Sequence, residues 1–209
     1  MNEITAILPQ VKDKKRCNIY IDGRFCCGLT LEATVKNRLK VGQTVSPQRL
    51  SQIQLESEKN TALDKAMTHL SASRKTEKQI REFLSKKGYL EDVTSYVIEK
   101  LNEYHFLNDK EYAENYVEHT SQRKGVRLIR VEMRKKGLSE EDMDAALDGI
   151  DEETQLNTAR EVLEKYMRHK EVDKTTLQKA IKYLLGKGFE FEIAKKAVLV
   201  YGEPEEEDF

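Results

Sequence analysis

"EMRKKGLSEEDMDAALDGI", residues 132–150, is the stretch whose reading decides the fold. The same pattern stands at 83–101 as "FLSKKGYLEDVTSYVIEKL" and at 183–201 as "YLLGKGFEFEIAKKAVLVY". In each copy an apolar-spotted run meets basic residues, then Gly, an apolar residue and an acidic stretch, and a second apolar-spotted run follows. The glycines are Gly88, Gly137 and Gly188, separated by 49 and 51 residues. A period of that length marks a tandem structural unit. Each glycine follows a helical pattern, where a left-handed C′ residue stops a helix and Gly adopts that conformation without a side-chain clash.

Working outward from these stretches, each unit reads as three helices. "TEKQ" at 76–79 is a capping box opening the helix that ends near Gly88. Val93, Val97 and Leu101 then recur at i, i+4 and i+8, one face of the next helix. "NDKE" at 108–111 is a second capping box, followed by Tyr112, Tyr116 and Val117 as a buried stripe. A helix over about 126–136 leads to Gly137, and Ser139 caps the next, with Met143, Leu147 and Ile150 inward. Asp151 starts the third cycle, Asp173 caps a helix to Lys187, and "EIAKKAVLV" closes the set. Three such units in a row predict an elongated, curved body.

The first 59 residues differ. "RCNIYIDGRFCCGLT" places two β-rich runs around Asp22-Gly23, a strong short hairpin signal. "ITAILPQ" reads as a third strand held to an edge by Pro9, and "LEATVKNRLKVGQTV" as a short helix, a turn at Gly42 and a last strand. Ser46-Pro47 opens a helix over 47–59, and Asn60 caps another over 61–72. The fold class is therefore mainly α, with three tandem three-helix repeats and a small N-terminal segment containing a β-hairpin. The expected divisions are an N-terminal extension at 1–59, repeats at 60–106, 107–150 and 151–201, and an acidic tail at 202–209.

Composition agrees. Of 209 residues 38% are apolar and 35% charged, with three prolines and ten glycines, a charge-rich helical balance. No apolar run approaches the roughly 20 residues of a membrane span, and the N-terminus lacks a signal-peptide pattern. A cytoplasmic location and no membrane contact are expected. Cys17, Cys26 and Cys27 lack metal-ligand spacing and read as small strand residues.

Net charge is distributed as +4 over residues 1–60, +4 over 61–137 and −9 over 138–209. A basic front and an acidic back suit a partner of mixed charge better than bare DNA. His69, His105, His119 and His169 form no catalytic or metal-ligating pattern, and the carboxylates interleave with Lys and Arg as on a solvated face. The reading is a binding protein and not an enzyme, with no cofactor and no metal. The candidate partner-binding residues are Arg74, Lys75, Arg81, Arg123, Lys124, Arg127 and Arg130, in "SASRKTEKQIREFLSKKG" and "SQRKGVRLIRVEMRKKG". Arg74, Lys124 and Arg127 lie at inter-helix corners, where function competes with an ordinary solvated face. The aromatic residues fall at helical spacing and read as core, not as a stacking platform.

"ALDKAMTHLSASRKTEKQIREFLSKKG" and "FLNDKEYAENYVEHTSQRKGVRLIRVEMRKKGL" resemble the RecX family of recombination regulators. The Leu-Ser-x-Arg-x-Thr sense of residues 70–80, "LND…YA" at 107–113 and "KG" at 124–125 leading to "KKGL" carry the resemblance, which covers about 60–201. Ala72 between two serines is a departure, and the third repeat matches weakly. The N-terminal part resembles the strand-bearing extension of longer members. The resemblance implies a fold of three tandem three-helix repeats and a protein that binds the RecA recombinase or its filament on single-stranded DNA; a monomer is expected. It implies inhibition of ATPase, strand exchange and SOS coprotease activity by occupying the filament groove or blocking its growing end. The alternative is a helical-repeat protein that binds DNA directly.

Overall fold

Asp22 and Gly23 sit at φ 46° and 79°, the paired left-handed residues of a tight hairpin turn. They join β2 (Arg16–Ile21) to β3 (Arg24–Thr30), and β1 (Ile4–Pro9) pairs antiparallel with the other side of β2. Pro9 is thus on an edge strand, as expected. The expected last strand is reduced to one bridge, Glu3 to Thr44, because Arg38 and Gly42 turn the chain through left-handed residues before it can run beside β1. The computed structural model describes residues 2–11 and 13–202. The acidic tail expected at 202–209 lies outside the described residues beyond Gly202.

Two compact units are formed: Met1–Ser73 with Ile80–Phe106, and Arg74–Gln79 with Leu107–Phe209. In the first, the sheet buries Ile4, Cys17, Ile19, Cys27 and Leu29 against α1 (Leu31–Lys36) and the start of α2 (Pro47–Ala72). Ser46 caps α2 by accepting the Arg49 N–H, with Pro47 at the first helical position. The two helices expected at 47–59 and 61–72 are one. Asn60 costs an interior helical position at most about 0.7 kcal/mol. Burial of Leu50 and Ile53 on one side of it, and of Ala62 and Ala66 on the other, outweighs that. Helix α2 therefore belongs to the sheet core and to the first repeat together; Ser57 Oγ accepts from the Thr30 N–H at 3.2 Å within that same packing. Leu84 of α3 (Glu77–Lys86) and Val93, Val97 and Leu101 of α4 (Glu91–Glu103) are buried.

In the second unit, α5 (Asp109–Thr120), α6 (Val126–Lys136) and α7 (Glu140–Leu147) enclose Ala113, Val117, Ile129, Met133, Met143 and Leu147. Tyr112, Tyr116 and Ile150 lie at the margin of that core, half-buried. Helices α8 (Glu152–Met167), α9 (Lys174–Gly186) and α10 (Phe191–Val198) enclose a separate core around Leu163, Ile181, Leu184 and Phe189. Asp151, Ser139 and Asp173 each accept the N–H three residues on, as N-caps do. The Asn108 cap is half of the expected capping box. Its side chain accepts the Glu111 N–H, but the Glu111 carboxylate turns to Arg74 instead.

Candidate partner-binding site

The seven basic candidates separate by what already holds them. Arg74 donates to Glu111 at 2.5 Å, and half-buried Lys75 precedes the buried capping residue Thr76. Arg81 donates to Glu91 at 2.8 Å, in the other unit. Arg130 sits between Asp144 at 2.5 Å and Glu140 at 3.5 Å. Lys124 is drawn inward, with its ammonium 2.6 and 2.7 Å from the two Glu132 oxygens. Arg123 is exposed. Arg127 is 61% exposed, and the nearest carboxylate, Glu190, stands 3.8 Å away. Arg81 lies in the first unit and the other six in the second. Arg123 and Arg127 are the outward-facing members of the α6 corner.

Glu132 organises the inner side of that corner. Tyr116 Oη donates to it at 2.6 Å, opposite the Lys124 ammonium. Burial pushes the Glu132 carboxyl up. Hydrogen bonds from Lys124 and Tyr116, with the Lys124 and Lys136 charges, more than reverse this and hold it below the usual carboxylate range. Burial and the Glu132 anion push the Tyr116 phenol upward. Lys124 is therefore part of the corner's internal support, a role its position in a basic stretch did not reveal.

The corner is locked by backbone. The start of α6 rests on the loop after α9: Gly125 N–H donates to Lys187 O at 3.0 Å, and Arg127 N–H to Gly188 O at 3.2 Å. A Cβ on Gly125 would lie 2.2 Å from Gly188 O, and one on Gly188 would lie 2.3 Å from Leu128 Cβ. The same joint recurs one repeat earlier within this unit. Thr76, before α3, donates from Oγ1 to Lys136 O at 2.7 Å, and Lys78 Nζ to Lys135 O at 3.0 Å. A Cβ on Gly137 would lie 2.5 Å from Lys78 Cβ. Gly137 and Gly188 thus do two things: they take the expected left-handed conformation, φ 89° and 90°, and they admit the next helix start.

Beside the second joint lies an open groove of about 310 Å³, lined by Arg127, Leu128, Arg130, Val131, Leu185, Gly186 and Gly188. Val131 is 42% exposed. Sequence reading missed this apolar floor. The signal was Leu128 and Val131 at i and i+3, off the Ile129–Met133 core stripe. Chemically the groove offers an apolar bed with an arginine at its rim. Among the described residues, no group of three or more His, Cys, Asp and Glu side chains is placed to hold a metal ion.

Comparison with known proteins matches almost the whole chain. The regulatory protein RecX N-terminal domain matches at residues 2–46, and the first, second and third RecX three-helix domains at 62–101, 108–147 and 153–198. The chain belongs to the RecX family. The regulatory protein RecX of Clostridium perfringens (strain 13 / Type A) is 32% identical over 202 residues, 95% of each chain. That of Bacillus pumilus (strain SAFR-032) is 30% identical over 213 residues, covering 100% of this chain and 81% of its own. A crystal structure of regulatory protein RecX superposes with a TM-score of 0.67 at 27% identity, over 92% of this chain and 97% of the other. RecX from Lactobacillus salivarius gives 0.62 at 26% identity, over 69% and 96%. In RecX terms the groove lies where the start of α6, in the second three-helix domain, meets the end of α9, in the third. No helix among the described residues is long and apolar enough to cross a membrane.

Proposed function

We propose that this RecX-family chain regulates the RecA recombinase by binding RecA, or its filament on single-stranded DNA, and inhibits the filament by occupancy in the cytoplasm. Family membership supports the class of function. The observation that carries the site is Arg127: it is mostly exposed, its nearest carboxylate is 3.8 Å away, and it borders an open apolar groove. An arginine so placed can grip a carboxylate or phosphate with two parallel hydrogen bonds, which lysine cannot reproduce. Arg123 adds a second charge at the same corner. Arg74, Arg81, Arg130 and Lys124 hold carboxylates within the fold, and Lys75 is half-buried, so these five are secondary in this reading.

The test is a RecA-filament ATPase assay on single-stranded DNA with increasing amounts of the protein. Arg123→Ala/Arg127→Ala should need at least tenfold more protein for half-inhibition, with helix content and melting temperature unchanged. Half-inhibition at the wild-type concentration overturns this site. Inhibition that instead tracks binding to bare DNA, and falls steeply with salt as counterion release requires, replaces recombinase binding with direct DNA binding.

A further inference from the structure

The sheet of the first unit has a second face. Cys17, Ile19, Cys27 and Leu29 point into the core beneath it. Arg16, Asn18 and Tyr20 alternate with Cys17 and Ile19 along β2 and so point the other way. Residues directly opposite share a face, which adds Leu8 and Gly28 opposite Asn18, and Ala6 and Phe25 opposite Tyr20. The register shift at Ile19/Tyr20 leaves Cys26 as an extra residue. Without that bulge the Ile19–Cys27 pairing would run on to Ile21–Phe25, and Phe25 would face inward. The bulge instead sets Phe25 opposite Tyr20 and turns it out, 60% exposed. The two rings stand edge to face, with centroids 6.0 Å apart and planes at 77°. Bulges re-aim side chains in this way at functional sites.

That outer face is aromatic, amide-bearing and basic. The three strands contain Arg16 and Arg24 and no Asp or Glu. Gln10 Nε2 donates to Asn18 Oδ1 at 2.8 Å, and Arg16 Nη2 donates to Gly28 O at 3.3 Å. Gly28 makes room for both groups: a Cβ there would lie 2.9 Å from Gln10 Nε2 and 3.6 Å from Arg16 Nη2. The guanidinium is thereby held close across the strands. Lys14 and Lys15 are exposed just before β2, and Arg24 is exposed at the far end of the hairpin. Cations therefore stand at both ends of a face about 17 Å long along β2. The carboxylates nearest in the chain are turned to backbone: Asp13 accepts the Lys15 N–H at 2.9 Å, and Asp22 the Glu3 N–H at 3.2 Å.

We propose that this outer face binds single-stranded nucleic acid, with a base stacked on Phe25 beside Tyr20 and phosphates drawn by Lys14, Lys15, Arg16 and Arg24. Exposed rings on a basic surface accept any unpaired base, because every base has a π-face. An acidic peptide would satisfy the cations and leave the two rings idle. The proposal is independent of the partner-binding reading above, whose site at Arg127 lies in the second unit.

The test is fluorescence anisotropy of a labelled thymidine oligonucleotide of about 16 nucleotides, long enough for one such site, titrated with the full chain and no recombinase. Phe25→Ala should weaken binding at least about fivefold and leave its salt dependence unchanged, because a stacked base releases no counterion. Phe25 is exposed, so this substitution leaves the core intact. Lys15→Gln/Arg24→Gln should lower the slope of log K against log salt by about 1.4, two phosphate contacts at about 0.7 each. Photocrosslinking to a strand carrying 5-iodouracil should mark Tyr20 or Phe25. Equal oligonucleotide binding by wild type and Phe25→Ala, or crosslinks confined to residues 60–201, overturns the proposal. So does a Phe25→Ala chain that loses filament inhibition with oligonucleotide binding intact, which would make the face a protein-binding surface.

Discussion

Two glycines with the same backbone angle differ in what surrounds them, and that difference predicts different costs for the same substitution. Gly88 and Gly188 both end a helix, at φ 85° and 90°. A Cβ on Gly88 meets nothing within 4 Å, whereas one on Gly188 lands 2.3 Å from Leu128 Cβ and 2.4 Å from Leu128 N. Gly88→Ala therefore carries only the left-handed penalty, about 1–2 kcal/mol. It is partly offset by about 0.4–1 kcal/mol from the stiffer unfolded chain. The net expectation is about 1 kcal/mol. Gly188→Ala carries the same penalty plus overpacking of about 1–3 kcal/mol. It also loosens the Gly125–Lys187 and Arg127–Gly188 backbone bonds, each worth about 0.5–1.5 kcal/mol net. We expect about 3–4 kcal/mol in total.

Gly125→Ala separates packing from backbone strain. Gly125 has φ −75°, ordinary for any residue, so its cost is the clash with the Gly188–Phe189 backbone without a left-handed penalty, about 1–3 kcal/mol. Urea denaturation followed by circular dichroism gives the order Gly88→Ala, Gly125→Ala, Gly188→Ala from mildest to worst. Hydrogen exchange localises the last two losses to α6 and the end of α9, since exchange reports local opening. Equal costs for Gly88→Ala and Gly188→Ala would refute the close-approach argument. So would a Gly125→Ala chain with wild-type exchange at residues 125–131.

Three further outcomes follow from the geometry. Thr76→Val keeps the volume of a fully buried side chain but loses the Gln79 N-cap bond and the bond to Lys136 O. It should destabilise by about 1–3 kcal/mol, seen as faster exchange at Gly137–Ser139. Lys124→Met leaves Glu132 without its cation and should cost about 1–3 kcal/mol at pH 7 in urea denaturation. The folded Glu132 carboxyl titrates below its unfolded value. Its contribution is complete above about pH 4.3 and is lost as pH falls through the folded pKa. The gap between wild type and Lys124→Met should therefore narrow on acidification, and a constant gap would contradict the pairing. A thiol reagent at pH 8 should label exposed Cys26 first. Cys27 is buried and its thiol is pushed up to about 12 by that burial and by Cys26, so mass spectrometry should find one fast label per chain.

What was legible in the sequence was local. The Thr76–Gln79 capping box, the Asp22–Gly23 turn and the left-handed glycines each depend on residues within a few positions of one another. Periodicity likewise identified Val93, Val97 and Leu101, because a helix repeats its buried face over short spans. The misreadings came from distant partners. Asn60 carries the sign of a helix cap, but the cores packed on either side of it hold α2 straight. The Tyr116–Glu132 bond spans two helices, so Lys124 read as a surface charge although Glu132 draws it in. The groove at Arg127 was not legible because Leu128 and Leu185 are brought together only by the loop after α9.

The two joints meet one requirement with different chemistry, and that explains why the repeat is visible in its glycines but not at its helix starts. Thr76 and Gly125 occupy the same place, one residue before α3 and before α6. At the first, a side-chain hydroxyl reaches Lys136 O; at the second, a backbone N–H reaches Lys187 O. The hydroxyl adds reach, so the group over Gly137 is the Lys78 side chain and not backbone, with Cβ and Cδ each 2.5 Å from where a Gly137 Cβ would stand. The backbone bond requires the chains to touch, which leaves 2.2 Å where a Cβ would stand at Gly125. Gly125→Thr, which copies the first joint into the second, should therefore fail to restore it. The threonine Cβ meets Gly188 O before its hydroxyl can reach Lys187 O, and the chain should be at least as unstable as Gly125→Ala. A Gly125→Thr chain of wild-type stability would show that the second joint can open to the spacing of the first, and that its glycine reflects sequence drift and not contact.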